Sequence, residues 1–129
     1  MSVIIPARNE EENIARCLRS IITQCYENYE VIVVDDESKD GTQRKIEEIQ
    51  GRSEKIKLLR NEGLESGWTG KNYALHLGVK NALGDWFLFL DADTKLYPEA
   101  ISRTLNFSLS NKISMLSFSP EQVLRGFGK

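Results

Sequence analysis

Residues 84–94, GDWFLFLDADT, drive four consecutive apolar residues, Phe87 to Leu90, straight into two aspartates separated by one alanine. In an extended chain, residues i and i+2 point to the same side about 6.5 Å apart, so Asp91 and Asp93 can address one cation directly or through water. Like charges this close repel unless something cationic shares the site. Carboxylate oxygens are hard ligands suited to Mg²⁺ or Mn²⁺, and an ion with so few protein ligands completes its shell with water and phosphate oxygens. An isolated D-x-D is read as solvated loop carboxylates or helix caps; its place behind a buried strand shifts the balance toward metal.

A second acidic pair, Asp35 and Asp36, closes the run YEVIVVDD. A buried carboxylate at a strand end can accept hydrogen bonds from a base imide or a sugar hydroxyl and so position a nucleotide. DDESKDGT is equally rich in Asx-turn and capping residues, and the residues alone leave both readings open. Lys71 follows Gly70 at a predicted helix start, where free backbone N–H groups favour anions, so its ammonium could reach phosphate oxygens or simply be solvated. Trp68, in a glycine-rich loop, could stack on a base or sugar or anchor the loop. His76, the single histidine, falls mid-helix and receives no catalytic role. Cys17 and Cys25 lie in one predicted helix about 12 Å apart, too far for a disulfide, and read as small core residues in a reducing compartment.

These groups need elements to hold them. SVIIPA is a short β run stopped by Pro6, and Asn9 can cap the following helix with Glu10, Glu11 and Glu12 near its positive end. Ile14, Cys17, Leu18, Ile21, Ile22 and Cys25 form one apolar stripe at helical spacing. YEVIVV is a strand apolar on both faces, as in the middle of a parallel sheet. TQRKIEEIQ is a short polar helix ending near Gly51, KIKLLR a third strand, and NEGLESGWTG a loop. KNYALHLGVKNAL is a helix packing through Leu75, Gly78, Val79 and Ala82 and ended by Gly84. DWFLFL is a fourth strand, PEAISRTLNFSLS a helix with Pro98 in its first turn, and ISMLSF a fifth strand. This alternation predicts a mostly parallel sheet with helices on both faces, whose ligands bind beyond the carboxyl ends of the strands. PARNE, DDES and DAD all fall on that rim.

The 129 residues fit one compact domain with a real core. At 40% hydrophobic, 28% charged and a formal net charge of -2, the composition is ordinary and argues against a nucleic-acid surface. No apolar run has the length of a transmembrane span, and the first residues lack a signal-peptide pattern, so the expected location is cytoplasmic.

In order and spacing, SVIIPARNEEENIARCLRSI, YEVIVVDDESKDGT and GKNYALHLGVKNALGDWFLFLDADT resemble the amino-terminal half of family 2 inverting glycosyltransferases, enzymes of the GT-A fold. The likeness covers roughly the first hundred residues, a domain-sized stretch. It implies that Pro6, Arg8 and Glu10 line a nucleotide pocket, that Asp36 with Asp35 beside it contacts the base, and that Lys71 lies near the base or ribose. It further implies that Asp91 contacts the sugar or ribose and that Asp93, flanked by Ala92, holds a divalent Mg²⁺ or Mn²⁺ on the diphosphate, with Asp91 as second metal-site residue. GWTGKNYA also resembles the matching stretch of transferases acting on hopanoid or carotenoid-like lipids.

The implied donor is a nucleotide-sugar, UDP-sugar favoured over GDP-sugar; the acceptor is left open, a lipid at the inner face of a membrane being one candidate. In the family an acidic general base stands in the second half of the domain, so it is expected beyond Lys129. Residues 1–129 then read as a donor-binding half without its acceptor half, with uncovered apolar surface that favours self-association. Two rivals remain from the residues: a degenerate transferase fold kept as a non-enzymatic interaction module, and a phospho-acceptor receiver domain, which VIVVDDES resembles.

Overall fold

A computed structural model describes residues 1–61, 70–111 and 115–118. Strands and helices alternate: β1 Ser2–Ala7, α1 Ile14–Ile22, β2 Glu30–Asp36, α2 Thr42–Gln50, β3 Ile56–Asn61, α3 Gly70–Lys80, β4 Phe87–Leu90, α4 Ala100–Asn111 and β5 Met115–Phe118. The five strands form one parallel sheet in the order β3-β2-β1-β4-β5. The expected architecture is therefore the observed one. That order reverses between β1 and β4, and it differs from the 2-1-3-4-5 order of flavodoxin-like and receiver domains. Residues 62–69, with Trp68, and the stretches 112–114 and 119–129 lie outside the described residues.

Alternation along the strands gives the sheet two apolar faces. Val3, Ile5, Val31, Val33, Leu88 and Leu90 pack with Ile14, Cys17, Leu18 and Ile21 of α1, Ile46 and Ile49 of α2, and Ile101 and Leu105 of α4. The opposite face sets Ile32 and Val34 against Ala74 of α3. Each fully buried aliphatic side chain contributes about 1.5–3 kcal/mol, and the α1 stripe is the largest helical share of that burial.

Several local expectations are corrected by tertiary contacts. Pro6 does not stop β1, which runs on to Ala7. The Ser2 N–H donates to Trp86 O on the β4 side, so Ile4 and Pro6, alternate residues, also turn their backbone toward β4. Pairing with β4 ends at Ile4 opposite Phe89, and the missing proline N–H therefore falls where no strand requires it. The same divergence of β1 from β4 opens a crevice.

Asn9 does not cap α1. Its backbone is left-handed at φ 53°, a conformation asparagine tolerates, and its Oδ1 accepts the Lys39 N–H. The helix starts four residues later, with Asn13 at the cap position and no side-chain cap bond. Its end at Ile22 also leaves Cys25 outside, exposed, with both cysteines free. On α3 the buried residues are Ala74 and Gly78, while Val79 is exposed. Apolar residues surround this helix, and the small ones turn inward because it approaches β1 closely: a Cβ on Gly78 would lie 2.5 Å from Ile4 Cγ2. Finally, α3 stops at Lys80, before Gly84, and α4 starts at Ala100, two residues after Pro98.

Candidate functional site

At the crevice, a cleft of about 380 Å³ is lined by Pro6, Ala7, Arg8, Glu10, Asp36, Lys71, Asp91, Ala92 and Asp93. Every residue that the family resemblance assigns to the site is there except Asp35, with Ala7 added. On β2, Asp36 shares the face of Ile32 and Val34, whereas Asp35 shares that of Val31 and Val33 and turns under α1 and α2. Asp35 is 4% exposed and its Oδ1 has no hydrogen-bond partner among the described residues.

The loops carrying these residues are stapled to one another. The Asn9 N–H donates to Ser38 Oγ and the Glu10 N–H to Thr42 Oγ1. Glu11 accepts the Gly41 N–H on its side chain and the Lys45 ammonium on its carbonyl. These bonds tie the turn after β1 to the turn after β2, which sets Arg8 and Glu10 opposite Asp36. Asp36 is buried; its Oδ1 accepts from Asn61 Nδ2 at 2.7 Å, and its Oδ2 lies 3.8 Å from Arg8 Nη1.

The D-A-D segment is not extended, as the spacing argument assumed. β4 ends at Leu90, and the Thr94 N–H donates to Asp91 O at 3.0 Å, closing a tight turn. This turn and the chain after it lie along α1 and the residues just past its end. Cys17 Sγ approaches Asp91 O at 3.9 Å, Ser20 Oγ accepts the Leu96 N–H, and the Gln24 amide donates to Tyr97 O and accepts from Ile101 N–H. Ser20 and Gln24 were missed from the sequence, although two polar residues one turn apart beside the apolar stripe of a helix were the available signal. Burial pushes the Cys17 thiol up to about 12, with Asp93 and Glu10 adding to it, so it stays protonated and serves as packing beneath the turn.

The electrostatics of the cleft are unbalanced. Lys71 Nζ bonds Asp91 Oδ1 at 2.8 Å, which puts this lysine on the D-A-D side of the cleft. Asp93 has no ion-pair partner among the described residues. Glu10 titrates above the ordinary carboxylate range, first through burial and then through the charges of Asp93, Asp91 and Asp40. The hard oxygens of Asp91 and Asp93, with a lysine ammonium already standing where a cation is wanted, fit a divalent ion. Among the described residues no group of three or more His, Cys, Asp or Glu is arranged to hold an ion unaided. The donor set therefore suits an ion that brings phosphate and water ligands with it. No helix among the described residues is long and apolar enough to cross a membrane.

The family model of glycosyl transferase family 2 matches residues 2–123. The chain is 34% identical over 116 residues to UDP-Glc:alpha-D-GlcNAc-diphosphoundecaprenol beta-1,3-glucosyltransferase of Escherichia coli, covering 90% of this chain and 44% of that protein. It is 37% identical over 126 residues to 4,4'-diaponeurosporenoate glycosyltransferase of Staphylococcus haemolyticus, covering 96% of this chain and 32% of that one. Among solved structures it resembles the mannosyltransferase of Pyrobaculum calidifontis in complex with GDP-Man and Mn²⁺, with a TM-score of 0.73, 27% identity, and coverage of 83% of this chain and 31% of that one. The chain thus spans less than half the length of each of these three. A parallel sheet of this order, an acidic cleft at its switch point and a family match over nearly the whole chain lead to one assignment: the chain belongs to glycosyl transferase family 2.

Proposed function

We propose that residues 1–129 form the donor-binding site of an inverting glycosyltransferase that takes a nucleoside-diphosphate sugar with Mg²⁺ or Mn²⁺. The observation that carries this reading is the shared cleft: Asp36 on one side and Asp91 with Asp93 on the other line one cavity at the β1/β4 switch point. A buried carboxylate steadied by Asn61 suits a base N–H donor, and the Asp91–Asp93 turn suits the cation of a diphosphate. A UDP-sugar is the favoured donor, in keeping with the UDP-Glc named for the Escherichia coli relative, with a GDP-sugar as the alternative.

A nucleoside diphosphate leaves poorly unless its developing charge is neutralised, and a bound divalent cation supplies that as a Lewis acid. Asp93 and Asp91 would hold the ion, Arg8 and Pro6 would border the nucleotide, and Lys71 would lie within reach of the phosphates. Inversion also needs a base to take the acceptor proton on the face opposite the departing phosphate. No residue of the cleft is assigned that role; the base belongs to the acceptor-binding part expected outside these residues. The relatives named for a diphosphoundecaprenol-linked and a diaponeurosporenoate substrate support a lipid as the preferred acceptor class, which on this reading is met at the inner face of a membrane.

Calorimetric titration of the purified chain with UDP, UDP-sugars and GDP-sugars, with and without Mn²⁺, tests the reading. Binding that requires both metal and Asp93 is expected. Metal-independent binding, or none, would remove the donor-site assignment.

A further inference from the structure

The Lys71–Asp91 contact occupies one oxygen of a carboxylate that a metal in this cleft would be expected to use. Nζ lies 2.8 Å from Asp91 Oδ1, and the two side chains are 63% and 44% exposed. An ammonium and a divalent cation on the same carboxylate repel each other strongly at this range. The pair lies at the cleft mouth, where an exposed ion pair costs little to break, and the lysine stem is long and freely rotating. Lys71 is also the second residue of α3, so a displaced ammonium remains beside the N–H groups of a helix start, where a phosphate oxygen is favoured.

We propose that Lys71 is an internal counter-ion that competes with the divalent ion for Asp91 in the free cleft and passes to the diphosphate when nucleotide arrives. This deepens the donor-site reading above and rests on it for the second half of the exchange. The consequence is coupling. Metal alone must expel Lys71 from Asp91 and leave its charge unneutralised nearby. Diphosphate alone would draw Lys71 away and leave Asp91 unpaired beside added negative charge. Together, the ion takes the aspartates and the lysine takes a phosphate oxygen, so each cation has an anionic partner. By linkage, each partner raises the affinity of the other by the same factor, and Lys71 sets much of that factor.

The exchange gives a signature of opposite signs. Mn²⁺ binding to the purified chain is followed by electron paramagnetic resonance of the free ion, without nucleotide and at saturating UDP, for wild type, Lys71→Ala and Lys71→Gln. Circular dichroism confirms folding, and the glutamine variant keeps the stem. With Mn²⁺ alone, both variants are expected to bind roughly fivefold more tightly than wild type, the scale of an exposed ion pair. With Mn²⁺ present, UDP is expected to bind about tenfold more weakly to both, because a charge-assisted bond to phosphate is gone. In an Asp91→Asn background the gain in Mn²⁺ affinity on replacing Lys71 should vanish.

Mn²⁺ binding no tighter in the variants than in wild type, including none detectable in any of them, overturns the proposal. So does a gain that survives Asp91→Asn, since Lys71 would then act only as a general positive charge. Failure of wild type to bind UDP would refute the donor-site reading instead, and the metal-only comparison would still stand by itself.

Discussion

The sheet carries carboxylates at both ends of its strands, and the two ends offer opposite surroundings. Glu30, at the start of β2, accepts from Ser2 Oγ, the Leu83 N–H and Lys57 Nζ at 2.6, 2.6 and 2.8 Å. Ser2 Oγ in turn accepts the Gly84 N–H, so one carboxylate ties together β1, β3 and the connection into β4. Burial pushes Glu30 up, but the bonds from Lys57, Ser2 and Leu83 and the lysine charge outweigh it and bring it down to about 2. At the far end of the sheet, Asp91 has one lysine, Asp93 has no ion pair, and Glu10 is shifted up rather than down. A carboxylate that serves the fold is saturated with donors. Of the cleft carboxylates, Asp36 has Asn61 and Arg8, but Asp91, Asp93 and Glu10 are left under-supplied, and that unmet demand for positive charge makes the rim a candidate binding site.

The contrast can be broken from either end, and the largest effect belongs to the rim. Asp93→Asn should weaken Mn²⁺-dependent UDP binding by about a hundredfold, at least what loss of an outer-sphere partner costs a metal site. Its thermal midpoint without metal should equal or slightly exceed that of wild type, because no donor loses its acceptor. Calorimetry and thermal denaturation on one preparation check both halves. A clear loss of stability would mean that Asp93 holds the fold and that the two regions are not distinct.

The converse variant is Glu30→Ala. It strips acceptors from Ser2, Leu83 and Lys57 and should lower unfolding free energy by about 2 kcal/mol, measured by urea titration. UDP affinity should be unchanged, because Glu30 lies at the opposite end of the strands from the cleft. Acid sharpens the same point. A carboxylate depressed in the folded state adds stability above its unfolded value, and that stability is lost as pH falls through the folded one. The gap in thermal midpoint between wild type and Glu30→Gln should therefore be full above about pH 5 and close progressively toward about pH 2. A gap that widens on acidification would mean that the three donors do not favour the charged form.

The two regions were not equally legible in the sequence. The rim could be read because it is local: PARNE, DDES and DAD each follow an apolar run, and a parallel sheet brings such ends together. Even Asp35 was decidable, since adjacent strand residues face opposite ways; the alternation that puts Val34 under α3 sends Asp35 to the other face with Val33. The turn at Asp91–Thr94 was not decidable, because two aspartates flanking an alanine suit either an extended or a turned backbone. The Lys71–Asp91 pair and the Glu30 latch were beyond reach for a different reason. Their partners are separated by 20 to 53 residues, so only the assembled sheet decides who meets whom. On α3 the expected Gly78 does face inward, but Ala74 was missed and Val79 wrongly included, because close approach to Ile4 selects by size and periodicity counts only apolarity.

The smallest predicted effect tests the imbalance of the rim without any ligand. Glu10 makes no side-chain hydrogen bond among those described, and its ionised form is disfavoured in the fold by burial and by Asp93, Asp91 and Asp40. For an acid raised in the folded state the sign is the reverse of Glu30: the cost is present above its folded value and is relieved as pH falls. Glu10→Gln should thus raise the thermal midpoint of the metal-free chain by about 1–2 °C near neutral pH. The gain should fade on acidification toward the carboxylate range. It should also shrink when saturating Mn²⁺ is added, since a cation on Asp91 and Asp93 offsets their charge and lets Glu10 ionise at lower cost. If Glu10→Gln is destabilising at neutral pH, the glutamate is supplied with donors after all, and the difference between the two ends of the sheet disappears.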